Sequence, residues 1–149
     1  MFISTKGRYA LRLMLGLAKA GGEEQPVPLK KVAESQNISL KYLEQIIPAL
    51  SRAGYVKSVR GSQGGYRLTR DPKDYTIGMI LRLTEGTLAP VSCLEDEKNL
   101  CPRAEFCETL FVWEKLYTAI AETADGITLQ DVLDRSEGNE SDDGGDYCI

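Results

Sequence analysis

Residues 29–69 constrain the fold of this 149-residue chain more than any other stretch. Leu29, Val32 and Ala33 are spaced for the buried side of a short helix opened by Pro28, and Asn37 suits a left-handed residue at its end. Ser39 is placed to cap a second helix whose inward positions are Leu43, Ile46, Ile47 and Leu50, with Gly54 closing it. Two helices joined by the turn Gln36-Asn37-Ile38 make a helix-turn-helix pattern. Pro48 lacks the N–H that would bond the carbonyl of Glu44, so a local bend is expected there. Tyr55–Val59 and Tyr66–Thr69 are β-prone runs around Arg60-Gly61-Ser62-Gln63-Gly64-Gly65, which reads as a hairpin with a Gly-rich turn. An amphipathic helix precedes all of this. It runs from a cap at Ser4 or Thr5 to about Ala20, with Tyr9, Leu11, Leu13, Met14, Leu17 and Ala18 apolar, and stops at Gly21-Gly22.

Three helices and then a hairpin predict a mainly α chain with a small β-hairpin, a winged helix-turn-helix domain over residues 1–75. Residues 76–135 then supply a linker helix, a cysteine loop and a long dimerisation helix. Thr76 caps the linker helix Ile77–Glu85, which Gly86 ends. Phe106, Leu110, Trp113, Tyr117, Ile120 and Ala124 follow at intervals of 4, 3, 4, 3 and 4, the spacing of a heptad seam, while Val112 and Leu116 offer a second apolar face. The seam is too short for an independent coiled coil and long enough to be the dimer contact of a folded protein. Gly126 breaks this helix, and Thr128, with Asp131 in capping-box position, starts a last one through Leu133. Residues 136–149 are acidic and Gly-rich and read as a disordered tail.

The net charge of −4 conceals a division. Residues 1–75 carry 13 Lys/Arg against 6 Asp/Glu, and residues 76–149 carry 5 against 16. A basic module joined to an acidic one points to a polyanion bound by the first half. In a helix-turn-helix the N-terminal residues of the second helix reach base edges in the major groove. Here those are Ser39, Leu40, Lys41, Tyr42, Glu44 and Gln45. Glu accepts from cytosine and Gln pairs with adenine. Lys41 and Lys57 suit phosphates, and Arg60 suits a minor groove; Ser62, Gln63 and Arg67 stand at or beside the wing tip. Winged helices also bind proteins, so an interaction or cluster-carrier module that never touches DNA is the alternative of another class. Steep loss of affinity with salt separates the two.

The chain has no histidine, and three of its four cysteines fall in Cys93-x7-Cys101-x5-Cys107. Thiolates bind soft metals and iron–sulfur clusters. Without imidazole there is no Ser-His or Cys-His nucleophile pair and no His-based zinc hydrolase. The glycines of the hairpin turn do not lie between a strand and a helix, so no phosphate loop is indicated; an enzyme is not expected. Zinc is disfavoured because closed structural sites use Cys with His or four Cys. The apolar run Leu13–Ala18 is too short to span a bilayer, and Lys6, Arg8, Arg12 and Lys19 interrupt it too often for a signal peptide. A cytoplasmic protein with no membrane contact is therefore expected, where cysteines stay reduced and serve as ligands or redox sensors.

The stretches ISTKGRYALRLMLGLA, SLKYLEQIIPALSRAGYVKSVRGSQGGYRL and APVSCLED resemble the Rrf-two family of bacterial transcription regulators, over about residues 1–135. The resemblance implies a homodimeric winged-helix regulator on double-stranded DNA with a palindromic operator, with the recognition helix and Arg60 carrying contacts. It also implies an iron–sulfur cluster, [2Fe–2S] in preference to [4Fe–4S], held by Cys93, Cys101 and Cys107 and easily lost on purification. Such clusters take four protein ligands. The places where cluster-binding members supply the fourth hold Leu110 and Arg8 here, which leaves Glu105, Glu108, Cys148, a solvent ligand or a partner residue. Thiol redox sensing without a metal is the other use of the same loop. Other members repress cysteine metabolism and end in an isoleucine that docks into cysteine synthase (O-acetylserine sulfhydrylase). The terminal Tyr147, Cys148 and Ile149 are similar in kind.

Overall fold

The computed structural model describes residues 2–140. Helix α1 (Thr5–Lys19) is capped by Ser4, whose hydroxyl accepts from Gly7 N at 3.1 Å, and buries Ala10, Leu13, Met14 and Leu17 completely. Helix α2 (Leu29–Gln36) ends at Asn37, which takes the left-handed conformation at φ 51°. Ser39 caps helix α3 (Leu40–Arg52) by accepting from Tyr42 N at 3.0 Å. The helix continues through Pro48 as far as Arg52, because Leu43, Ile46 and Ile47 before the proline and Leu50 after it are all buried in the same core. Strands β1 (Val56–Val59) and β2 (Gly65–Leu68) pair antiparallel from Val56↔Leu68 to Val59↔Gly65. Val27 is laced to the same edge, its N–H donating to Tyr66 O at 2.8 Å and its carbonyl accepting from Tyr66 N at 2.9 Å. A side chain at Gly65 would run into the Val27 carbonyl and Pro28 N, so the close approach of this backbone requires glycine.

Helix α4 (Ile77–Glu85) is capped by Thr76 and stops at Gly86, φ 81°. Its last residue reaches back to the start of α1: the Glu85 carboxylate accepts from Ser4 N at 3.1 Å and from the Ser4 hydroxyl at 2.7 Å, over Gly7, where a side chain would have to displace that carboxylate. Helix α5 (Leu110–Gly126) packs along α4, with Arg82 forking onto the two oxygens of Asp125 at 2.6 and 2.9 Å. Helix α6 (Leu129–Glu140) starts in a capping box, Thr128 N donating to Asp131 and Asp131 N to the Thr128 hydroxyl, and buries Leu129 and Leu133 beside α1. One buried cluster therefore takes in α1, α2, α3 and the hairpin together with Tyr75, Ile80, Leu129 and Leu133, so the core is not divided at residue 75.

Two expectations are corrected. The last helix does not end at Leu133 but continues to Glu140, so residues 136–140 of the expected tail are helical; Gln130 bonds Asp134 at 2.7 Å and the Ser136 hydroxyl bonds the Leu133 carbonyl at 2.9 Å along the added turns. Phe106 is not on the long helix. It closes a short 3-10 turn, Ala104–Phe106, and the extended backbone of Cys107 separates it from Leu110. Tyr147, Cys148 and Ile149 lie outside the described residues. Among the described residues no helix is long and apolar enough to cross a membrane.

Candidate nucleic-acid interface and cysteine loop

Burying one side of α3 turns the opposite side outward. Ser39, Leu40, Lys41, Glu44 and Gln45 are exposed there, at positions that share a face by helical spacing. Tyr42 is only half-buried; its ring stands edge-on to Tyr9 at 5.1 Å, which fixes the first turn of α3 against α1. Arg12 lies over the same Tyr9 ring and donates to the Gln36 carbonyl, pinning the turn between the two helices. Lys6 was not legible as part of this surface. It lines a shallow depression with Tyr42, Gln45 and Ile46, because the N-terminus of α1 lies beside α3, a juxtaposition with no local signal in the chain.

In the hairpin, Arg60, Ser62 and Gln63 are exposed at the tip and Lys57 on the outer face. Arg67 sits directly across the ladder from Lys57 and lines one groove with it and Thr69. Like charges opposite each other in a ladder repel. Arg67 is half-buried and is steadied by donating to the Glu23 carbonyl at 3.0 Å. The one ion pair among the described residues is Arg82–Asp125, so Lys41, Lys57, Arg60 and Arg67 have no carboxylate partner there. Recognition-helix polar groups and unpaired wing cations occupy successive elements of one domain, an arrangement suited to a phosphate backbone with base edges beside it.

The loop between α4 and α5 holds the three cysteines as free thiols. Cys93, on the turn Ser92–Leu94, and Cys101 line one depression with Asp96 and Lys98. Cys107 stands just ahead of α5 with its Sγ 3.6 Å from the Thr109 hydroxyl. Hydrogen bonding from the Thr109 side chain, and then from backbone N–H groups at the start of α5, holds the Cys107 thiol below its ordinary range. Sulfur donors suit an iron–sulfur cluster in kind. They are not gathered around one centre in this structure: among the described residues no three Cys, Asp or Glu side chains converge enough to hold a metal, and Glu105 and Glu108 are exposed.

Leu110, Trp113, Tyr117, Ile120 and Ala124 are half-buried on α5, which packs on α4, and Phe106 is 81% exposed ahead of it. The open apolar residues of α5 are instead Phe111 (61%), Leu116 (46%) and Val112 (36%).

A family model described as an iron-dependent transcriptional regulator, Rrf2, matches residues 3–135. The transcriptional regulator CymR of Bacillus subtilis is 42% identical over 140 residues, covering 94% of this chain and 95% of that protein. Its solved structure, that of the global cysteine regulator, superposes with a TM-score of 0.74 over 91% of this chain and 98% of that one. The structure of T. potens IscR matches at 42% identity and a TM-score of 0.73, over 93% of this chain and 90% of that one. IscR of Aliivibrio salmonicida is 37% identical over 143 residues, 96% of this chain and 83% of that protein. With a winged helix whose recognition face and wing cations are open, and with relatives that are helix-turn-helix regulators and not enzymes, this chain belongs to the Rrf2 family of transcriptional regulators.

Proposed function

We propose that the protein is a cytoplasmic homodimeric regulator that binds a palindromic operator and whose affinity follows the chemical state of Cys93, Cys101 and Cys107. The observation that carries this is position. The cysteine loop is the stretch of chain that joins α4, which is bonded to the start of α1 through Glu85, to α5, which carries the open apolar stripe. A change in the loop acts at both ends of that connection. Ser39, Leu40, Lys41, Tyr42, Glu44 and Gln45 read the major groove in this proposal, and Lys57, Arg60, Ser62, Gln63 and Arg67 hold the flanking backbone and minor groove.

The signal is either an iron–sulfur cluster taken up by the loop or oxidation of its thiols. The name of the IscR relatives and the iron-dependent description of the family favour the first. The unassembled cysteines and the acidified Cys107 thiol favour the second. Iron and sulfide content with a visible spectrum, measured on anaerobically purified protein and on the variant with alanine at all three cysteines, separates them. Bound iron and sulfide that the variant lacks supports the cluster; no iron, with operator affinity that still changes on oxidation, supports the thiols. Operator affinity that is the same in wild type and variant, anaerobic and oxidised, overturns both.

A second reading is favoured by the similarity to CymR, the global cysteine regulator. Here the input is cysteine synthase bound through Tyr147, Cys148 and Ile149. Removing those three residues then abolishes the complex in a sedimentation assay, and an unaltered complex rules the reading out.

A further inference from the structure

The side chain and the backbone of Tyr75 are engaged in two different places. Its side chain is completely buried at the foot of the hairpin, where the ladder ends at Val56↔Leu68. The hydroxyl donates to the Tyr55 carbonyl at 2.8 Å and accepts from Thr69 N and Arg70 N, both at 3.1 Å. One donor and two acceptor sites are thus all in use. Thr69 adds its own hydroxyl, which bonds the Gly54 carbonyl at 2.6 Å and lies 3.3 Å from the Tyr75 oxygen. The ring meets Tyr55 edge-on at 5.8 Å, and the Arg70 guanidinium lies over both rings. The backbone of the same residue faces the other way. The Tyr75 carbonyl accepts from Leu129 N at 2.9 Å, Thr76 bridges Thr128, and Ile77 N donates to the Ile127 carbonyl at 2.9 Å. These are the residues of the turn that ends α5.

We infer that Tyr75 is a positioning residue for DNA binding: its hydroxyl closes the base of the wing while its backbone holds the turn after α5, so the pitch of the wing, and with it Arg60, is set by where α5 ends. No other residue bonds both the hairpin base and the α5–α6 turn among the described residues. The Tyr75 hydroxyl is the short part of this link: when it is removed, Arg70 N loses its partner, and Thr69 N and the Tyr55 carbonyl keep only the longer 3.4 Å bond to each other. The inference rests on the wing contact proposed for Arg60.

A double-mutant cycle tests it, using as probe a duplex selected by this protein from a random-sequence library. Arg60→Ala is expected to weaken binding about tenfold in the wild-type background. In the Tyr75→Phe background it is expected to cost less than about twofold, because a wing without its anchor no longer delivers Arg60. Lys41→Ala, on α3, is expected to cost the same in both backgrounds. If Arg60→Ala costs the same in both, the inference is overturned and the wing contact stands. If Arg60→Ala costs nothing even in wild type, the wing contact fails and the inference with it. Should Tyr75→Phe not fold by circular dichroism, Thr69→Val carries the same cycle with the same expected non-additivity, and additivity there overturns the inference equally.

Discussion

Helices α3 and α5 have similar apolar content and opposite fates. α3 buries Leu43, Ile46, Ile47 and Leu50 and shows solvent a polar face. α5, longer by four residues, buries none completely and leaves Phe111, Val112 and Leu116 open. The difference lies in what each has to pack on. α3 meets α1, α2, α4 and β1, whereas α5 leans mainly on α4. A helix enclosed on several sides has its stability decided within the chain; a helix supported on one side has apolar surface still to remove from water, at roughly 25 cal/mol per Å². The first kind suits the reading role proposed for α3, and the second suits the assembly surface proposed for α5.

The contrast is broken most directly by truncation. Leu43→Ala in α3 is expected to lower unfolding free energy by about 2–5 kcal/mol in urea melts, whereas Leu116→Ala in α5 is expected to change it by less than about 1 kcal/mol below the concentration of association. Charge on α5 sharpens the comparison. Val112→Glu together with Leu116→Glu is expected to convert the proposed dimer to monomer by sedimentation with circular dichroism unchanged, and a dimer that survives would place the contact elsewhere. The next effect is chemical. Thr109→Val is expected to slow alkylation of Cys107 at neutral pH severalfold while leaving Cys101 unaffected, as read by mass spectrometry, since its hydroxyl is the main cause of the lowered thiol pKa.

The smallest effect concerns the strut between α4 and α5. Arg82 holds the Asp125 carboxylate below its ordinary value of 3.8, so the pair stabilises the fold above that value and is lost as pH falls through the lower, folded-state one. Both partners are well exposed, so Arg82→Ala is expected to cost less than about 1 kcal/mol at neutral pH, with the difference from wild type vanishing in acid.

What was legible in the chain followed from local rules. Ser4, Ser39, Thr76 and Thr128 are caps because each has its hydroxyl within reach of a free N–H, and Asn37 and Gly86 are stops because of their backbone freedom. What was not legible depends on contacts distant in sequence. The heptad spacing of Leu110 to Ala124 marks an apolar side without saying whether α4 or another copy lies against it. Lys6 comes beside Tyr42 and Gln45 only through the packing of α1 on α3, and α6 extends past Leu133 although its sequence grows polar there. The three cysteines were legible as a group in sequence and are not one in space, because the loop separates Cys107 from the depression shared by Cys93 and Cys101.

The clasp between Glu85 and Ser4 has a consequence at the bench. Ser4, the cap of α1, is bound to the threshold of the cysteine loop, so a tag joined just ahead of it is no neutral handle. It loads the carboxylate that ties α4 to the cap of α1, and preparations tagged there are expected to differ in loop chemistry from untagged protein.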